Sequence, residues 1–140
     1  MEFSGKKVTV VGTGISGIGA VGLLNAVGAE VVLYDGNEKL KIEDIEKKLG
    51  TYKAEIVLGE LTKELTDSSD LLVISPGVPI DSPVVKAFEA AGVPIWGEVE
   101  LAYAFDKGKV LAITGTNGKT TTTALVGQIV GAYHKDTFVV

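Results

Sequence analysis

Residues 7–17 read Lys7-Val8-Thr9-Val10-Val11-Gly12-Thr13-Gly14-Ile15-Ser16-Gly17, and the fold turns on them. Lys7–Val11 is a β-branched run that predicts a buried strand. It empties into Gly-x-Gly-x-x-Gly, after which Ser16–Val27 carries a helical pattern closed by Gly28. Strand, glycine turn and helix in this order open a doubly wound α/β domain. The glycines permit a tight turn and close backbone approach to a diphosphate, and the helix N-terminus adds partial positive charge. Asp35 ends the next predicted strand, Glu30–Tyr34, 18 residues after Gly17. In a dinucleotide-binding fold such an acid bonds a ribose, so the loop taken alone points to NAD. The same physics serves any nucleoside diphosphate, UDP included. Two plainer readings stand beside it: glycines that only pack helix on sheet, and an Asp35 that only forms a turn.

Apolar runs and helical patterns alternate along the rest of the chain. Ile42–Leu49 reads as an amphipathic helix, Glu55–Leu58 as a short strand and Leu71–Ser75 as a stronger one, stopped by Pro76-Gly77. Ser82–Ala91 reads as a helix with Ser82 as N-cap, Pro83 in the first turn and Gly92 beyond the end. Val93–Trp96 follows as a strand and Glu98–Phe105 as a helix. After the turn Asp106-Lys107-Gly108 come a strand, Val110–Thr114, a helix, Lys119–Ala132, and an apolar run, Thr137–Val140. The alternation predicts an α/β, Rossmann-like parallel sheet flanked by helices over residues 1–107. Residues 108–140 would open a second domain. They are too few to bury a core alone and stop inside an apolar run, so a truncated domain is expected.

A second glycine loop defines that domain. Gly115-Thr116-Asn117-Gly118-Lys119-Thr120-Thr121 lies between the predicted strand and helix, the layout of a phosphate-binding P-loop. Backbone N–H groups of Asn117 through Thr121 would cradle an anion, Lys119 would reach the β/γ-phosphates, and the Thr120 hydroxyl would ligate Mg²⁺. The full Walker pattern wants glycine where Ile113 stands, so the loop is a shortened variant. The plain alternative is a Gly/Thr-rich turn that binds nothing.

Bulk properties narrow the class. The chain has 140 residues, 46% hydrophobic and 22% charged, ordinary values for a globular core. A net charge of −5 argues against a general nucleic-acid or anionic-membrane surface. The lack of cysteine excludes disulfides, zinc–thiolate sites and cysteine nucleophiles within these residues, and fits a reducing cytoplasm. Val8–Ala29 is uncharged over 22 residues, yet six glycines interrupt it; strand, turn and helix explain it better than a membrane span.

Thr114-Gly115-Thr116-Asn117-Gly118-Lys119-Thr120-Thr121 resembles the ATP loop of the Mur ligases and their folylpolyglutamate synthetase relatives. Val10-Val11-Gly12-Thr13-Gly14-Ile15-Ser16-Gly17 and Ser75-Pro76-Gly77-Val78-Pro79 look like the D-glutamate-adding branch of that family, whose enzymes are longer multidomain proteins. The resemblance implies an ATP-dependent, amide-forming ligase of cytoplasmic peptidoglycan precursor synthesis. ATP phosphorylates the L-alanyl carboxylate of UDP-N-acetylmuramoyl-L-alanine, and the amine of D-glutamate attacks the acyl phosphate. Gly14, Ile15 and Ser16 would then face the UDP diphosphate, Asp35 and Gly36 the uridine end, and Ser75, Pro76 and Gly77 the opposite wall. Lys119 would be the catalytic charge, with Mg²⁺ on Thr120. The remaining ligands and the D-glutamate site would lie beyond Val140, so these residues alone are not expected to catalyse the reaction. Two readings compete: an NAD-binding dehydrogenase or regulatory domain, which leaves Lys119 and Thr120 without a role, and a P-loop switch protein, which leaves the first loop unexplained.

Other residues invite plainer readings. His134 sits where a helix should end, Trp96 where an apolar run packs, and Glu43–Lys48 on a solvated helix face. Glu98 and Glu100 fit the charge preference of a helix N-terminus, with ligand contact as the alternative.

Overall fold

The computed structural model describes residues 3–137 and 139. The chain divides into two compact units, Met1–Asp106 and Lys107–Val140.

The first unit is an α/β fold around one five-stranded sheet. In chain order its elements are β1 (Lys7–Val11), α1 (Ile15–Ala26), β2 (Glu30–Asp35), α2 (Ile42–Leu49), β3 (Glu55–Leu58), α3 (Lys63–Ser68), β4 (Leu71–Ile74), α4 (Pro83–Ala90), β5 (Ile95–Gly97) and α5 (Glu98–Phe105). The strands pair in the order β3-β2-β1-β4-β5, every pair parallel. The order reverses at β1, with β2 on one side and β4 on the other. Parallel strands need crossovers, and the helices supply them on both faces.

Side-chain alternation sorts the core into two layers. Val8, Val10, Val31, Leu33, Leu71 and Val73 pack with Val21 and Leu24 of α1, Ile45 and Leu49 of α2, and Leu101 of α5. Val11, Val32, Tyr34 and Leu72 face the other way, onto Leu65 of α3 and Val85 and Phe88 of α4. Thr9 is the polar exception in β1. Ser69 Oγ donates to the Leu65 carbonyl at 2.7 Å, so the 2.8 Å contact between Thr9 and Ser69 must be Thr9 donating. Asp70 pins the start of the sheet: its carboxylate accepts from the Lys7 N–H at 2.9 Å, and its own N–H donates to the Lys7 carbonyl at 2.8 Å. Trp96 packs edge-on against Phe3 with centroids 6.0 Å apart.

Some details depart from the sequence reading, and one is met in position only. Helix α3 was not predicted; at six residues it is too short for a periodic signal, and its mark is the Thr62 cap, whose Oγ1 accepts from the Leu65 N–H. Ser82 does stand at the N-cap of α4, but its side chain makes no capping bond. The last strand is Ile95–Gly97 rather than Val93–Trp96, because pairing with β4 begins at Leu72 opposite Ile95. The predicted strand Val110–Thr114 does not form: a strand exists through its ladder, and the second unit offers no strand to pair with among the described residues.

Among the described residues that second unit has one regular element, α6 (Lys119–Tyr133), and no residue of this helix is buried. Leu125, Ile129 and Tyr133 recur every four residues and stand exposed. His134 caps the helix C-terminus through its N–H on the Val130 carbonyl. Of the apolar run Thr137–Val140, Phe138 and Val140 lie outside the described residues.

Candidate functional site

Each glycine of the first loop answers to a different neighbour. Gly12 has φ +107°, and its N–H donates to the Tyr34 carbonyl at 2.9 Å, which carries the β1–β2 ladder into the turn. A Cβ there would sit 3.0 Å from Ser75 Oγ. At Gly17 a Cβ would overlap the Gly12 carbonyl oxygen, so this glycine lets α1 close on the turn. At Gly14 a Cβ would meet nothing within 4 Å. The first two glycines are required by the protein itself; Gly14 borders open space.

That space is a cleft of about 400 Å³ at the carboxyl ends of β1, β2 and β4. It is lined by the loop and by Asp35, Ser75, Pro76, Gly77 and Val78. A crevice at the point where strand order reverses is the usual ligand position in open α/β sheets. The structure thus brings together Gly14, Ile15, Ser16, Asp35, Ser75, Pro76 and Gly77. Gly36 follows Asp35 but is not among the lining residues. Helix α1 starts with no side-chain cap and no acid in its first turn, so its leading N–H groups are offered to the cleft side. Ile15 beside them is 95% exposed.

Two polar pairings escaped the sequence reading, although it had weighed Glu98 as a ligand contact. Asp35 Oδ2 accepts from both the N–H (3.2 Å) and the hydroxyl (2.9 Å) of Thr13, while Oδ1 accepts from the Asn37 N–H at 3.1 Å. Thr13 fills a variable position of the glycine motif, so no spacing rule marks it. Ser75 Oγ donates to Glu98 Oε1 at 2.6 Å, so Glu98, which is not among the lining residues, holds the hydroxyl of one that is. Below the site, Tyr34 donates its hydroxyl to the Gly59 carbonyl at 2.7 Å. Burial, and then the neighbouring Asp35 charge, push its phenol above the ordinary value of 10.

The loop of the second unit has its own geometry. Gly118 is the N-cap of α6 with φ +76°, a left-handed conformation suited to glycine, and no side chain caps the helix. Lys119 folds its ammonium back onto the Gly115 carbonyl, placing the cation over the loop. Glycine turn, uncapped helix and cation fit a phosphate group. Thr120 offers Mg²⁺ a single oxygen, where the ion wants about six. Among the described residues no cluster of His, Cys, Asp or Glu could hold a metal.

Residues 6–97 match the family described as Mur ligase MurD-like, N-terminal domain. The chain belongs to this family. It is 66% identical over 140 residues to the UDP-N-acetylmuramoylalanine–D-glutamate ligase of Lachnospira eligens, and 57% identical over 141 residues to the protein of that name from Lachnoclostridium phytofermentans. In both cases all of this chain is covered but only 31% of the relative. Among solved structures, a pseudomurein peptide ligase type C from Methanothermus fervidus aligns with a TM-score of 0.57 and 28% identity, over 90% of this chain and 26% of that one. A shikimate dehydrogenase from Aquifex aeolicus aligns at 0.52 with 16% identity, over 72% of this chain and 45% of that one, a likeness of fold alone. The sequence of residues 6–97 thus goes with the MurD-like family, and the likeness to this one dehydrogenase stops at the fold.

Proposed function

We propose that the whole protein is an ATP-dependent ligase of peptidoglycan precursor synthesis, joining D-glutamate to UDP-N-acetylmuramoyl-L-alanine through an acyl phosphate in the cytoplasm. Residues 1–107 bind the UDP moiety, and residues 108–140 open the P-loop ATPase domain. The diphosphate lies against Gly14, Ile15 and Ser16; Asp35 and Gly36 face the uridine end; Ser75, Pro76 and Gly77 form the far wall. Gly115 through Thr121 cradle the ATP phosphates, with Lys119 offsetting charge on the transferred group and Thr120 giving Mg²⁺ one ligand. ATP supplies the phosphoryl group that activates the carboxylate. The observation that carries the UDP assignment is the cleft itself, open at Gly14 and bordered by the uncapped start of α1, in a sequence that goes with the ligases.

Calorimetry with UDP and NAD tests the assignment. UDP is expected to bind at least about tenfold more tightly than NAD, a difference of about 1.4 kcal/mol. Micromolar NAD binding without a UDP response would return the chain to the dehydrogenase reading.

A further inference from the structure

The chain has three asparagines, Asn25, Asn37 and Asn117, and their surroundings differ. Asn25 lies within α1 with its side chain closed on the Lys53 backbone. Its Nδ2 donates to that carbonyl at 2.9 Å, and its Oδ1 accepts from that N–H at 2.6 Å. Asn37 Oδ1 accepts from the Lys39 N–H at 3.1 Å. Each of these two is followed by a residue with a side chain, Ala26 and Glu38. Asn117 is exposed, and Gly118 follows it. Among the described residues neither the Asn117 side-chain amide nor the Gly118 N–H makes a hydrogen bond. A Cβ at Gly118 would meet nothing within 4 Å, so the space about that nitrogen is open.

We propose that Asn117-Gly118 is a self-modification site, where the empty loop deamidates and a bound phosphate prevents it. The Gly118 backbone nitrogen attacks Asn117 Cγ. The bond from Cγ to Nδ2 breaks, ammonia leaves with the Gly118 amide proton, and a five-membered succinimide remains. Water then opens the ring at one carbonyl or the other, to aspartate or isoaspartate at position 117. The net change is water in and ammonia out, with no oxidant or reductant. Glycine favours the step because no side chain shields its nitrogen and its backbone turns freely. The part played by phosphate rests on the phosphate-loop reading above. A phosphate oxygen that takes the Gly118 N–H fixes the nitrogen and turns it from Cγ, which removes the near-attack geometry. Either product sets a carboxylate among the N–H groups of the cradle, where it repels an incoming phosphate. Isoaspartate also adds a carbon to the backbone and shifts the N–H groups that follow.

The test incubates the whole wild-type protein without nucleotide and with Mg-ATP at a concentration that calorimetry shows to be saturating. Peptide mapping by mass spectrometry follows conversion at each asparagine. Without nucleotide, Asn117 is expected to convert at least about tenfold faster than Asn25 and Asn37, and Mg-ATP should slow it at least about tenfold. Asn117→Asp, which carries one product from the start, should bind Mg-ATP at least about tenfold more weakly. Conversion of Asn117 no faster than that of Asn25 and Asn37 would overturn the modification site and leave the phosphate loop standing. Fast conversion that saturating Mg-ATP does not slow would place the nucleotide away from Asn117, overturning the protection and the loop reading together. Absence of Mg-ATP binding would do the same. The two wild-type arms need no variant, so they decide even if Asn117→Asp does not fold.

Discussion

The two glycine loops invite comparison because the chain builds them from the same parts and finishes them differently. Gly12–Gly17 is anchored at three points: Gly12 hydrogen-bonds to β2, Gly17 packs on the Gly12 carbonyl, and Thr13 is tied to Asp35. Its strand is buried between two neighbours in the sheet. The loop at Gly115–Gly118 precedes a helix without a buried residue and follows a segment with no regular structure. Its polar ties are local, its own lysine on the Gly115 carbonyl and the Thr122 N–H on the Gly118 carbonyl. Local sequence suffices to make a left-handed turn and start a helix. Holding donor groups in fixed directions takes a packed sheet beneath them.

The largest effect expected from this contrast is on stability. Phe88 is fully buried beneath the sheet, and Phe88→Ala should cost about 3–5 kcal/mol in urea unfolding. Leu125→Ala on the exposed side of α6 should change it by less than about 0.5 kcal/mol. Equal losses would show that α6 is packed as tightly as the sheet.

In the whole protein the loops should fail separately. Lys119→Ala is expected to slow acyl-phosphate formation by about 10²–10³-fold with UDP-sugar affinity unchanged. Single-turnover phosphoryl transfer close to the wild-type rate would remove Lys119 from catalysis.

Gly14→Val sharpens the comparison from the other side. Its Cβ meets only open space in the protein, so the melting temperature should hold while UDP affinity drops at least about tenfold through lost backbone approach. A variant that melts early with UDP affinity intact would make Gly14 a packing glycine like Gly17.

The smallest effect is alkaline. Tyr34 has its folded pKa raised above its unfolded value near 10. Its contribution is complete below pH 10 and fades as pH climbs through the folded pKa, because the unfolded phenol ionises first. Tyr34→Phe should cost about 1 kcal/mol at neutral pH through the lost bond to Gly59 and flatten the fall in stability above pH 10. Melting curves from pH 8 to 11 would read this out; an equally steep decline in the variant would place the sensitivity elsewhere.

Much of the sheet was legible because β-branched runs such as Val8–Val11 and Val31–Leu33 are buried on both faces and bounded by glycine. Helix α3 was not, since six residues give no period to detect. Val110–Thr114 carries the same kind of apolar run as β1, yet pairing is decided by what lies alongside, which a linear pattern does not contain. The cleft residues were legible where a motif names them, as at Gly14, Asp35 and Ser75. The bond from Ser75 to Glu98 joins residues 23 apart through two strand ends, and the tie from Thr13 to Asp35 crosses from one strand to the next. Contacts of that kind follow from topology, and only folding brings them together.

The three bonds that converge on Asp35 have a kinetic consequence. By holding Thr13 and Asn37 on one carboxylate, they couple the turn after β1 to the turn after β2, so this side of the cleft is assembled before any ligand arrives. Little loop ordering is left to be done in the bound state, which lowers the entropic cost of association. Stopped-flow binding of UDP should accordingly show an observed rate rising linearly with nucleotide concentration, without a plateau set by a closing step. Thr13→Ala should bring such a plateau into view.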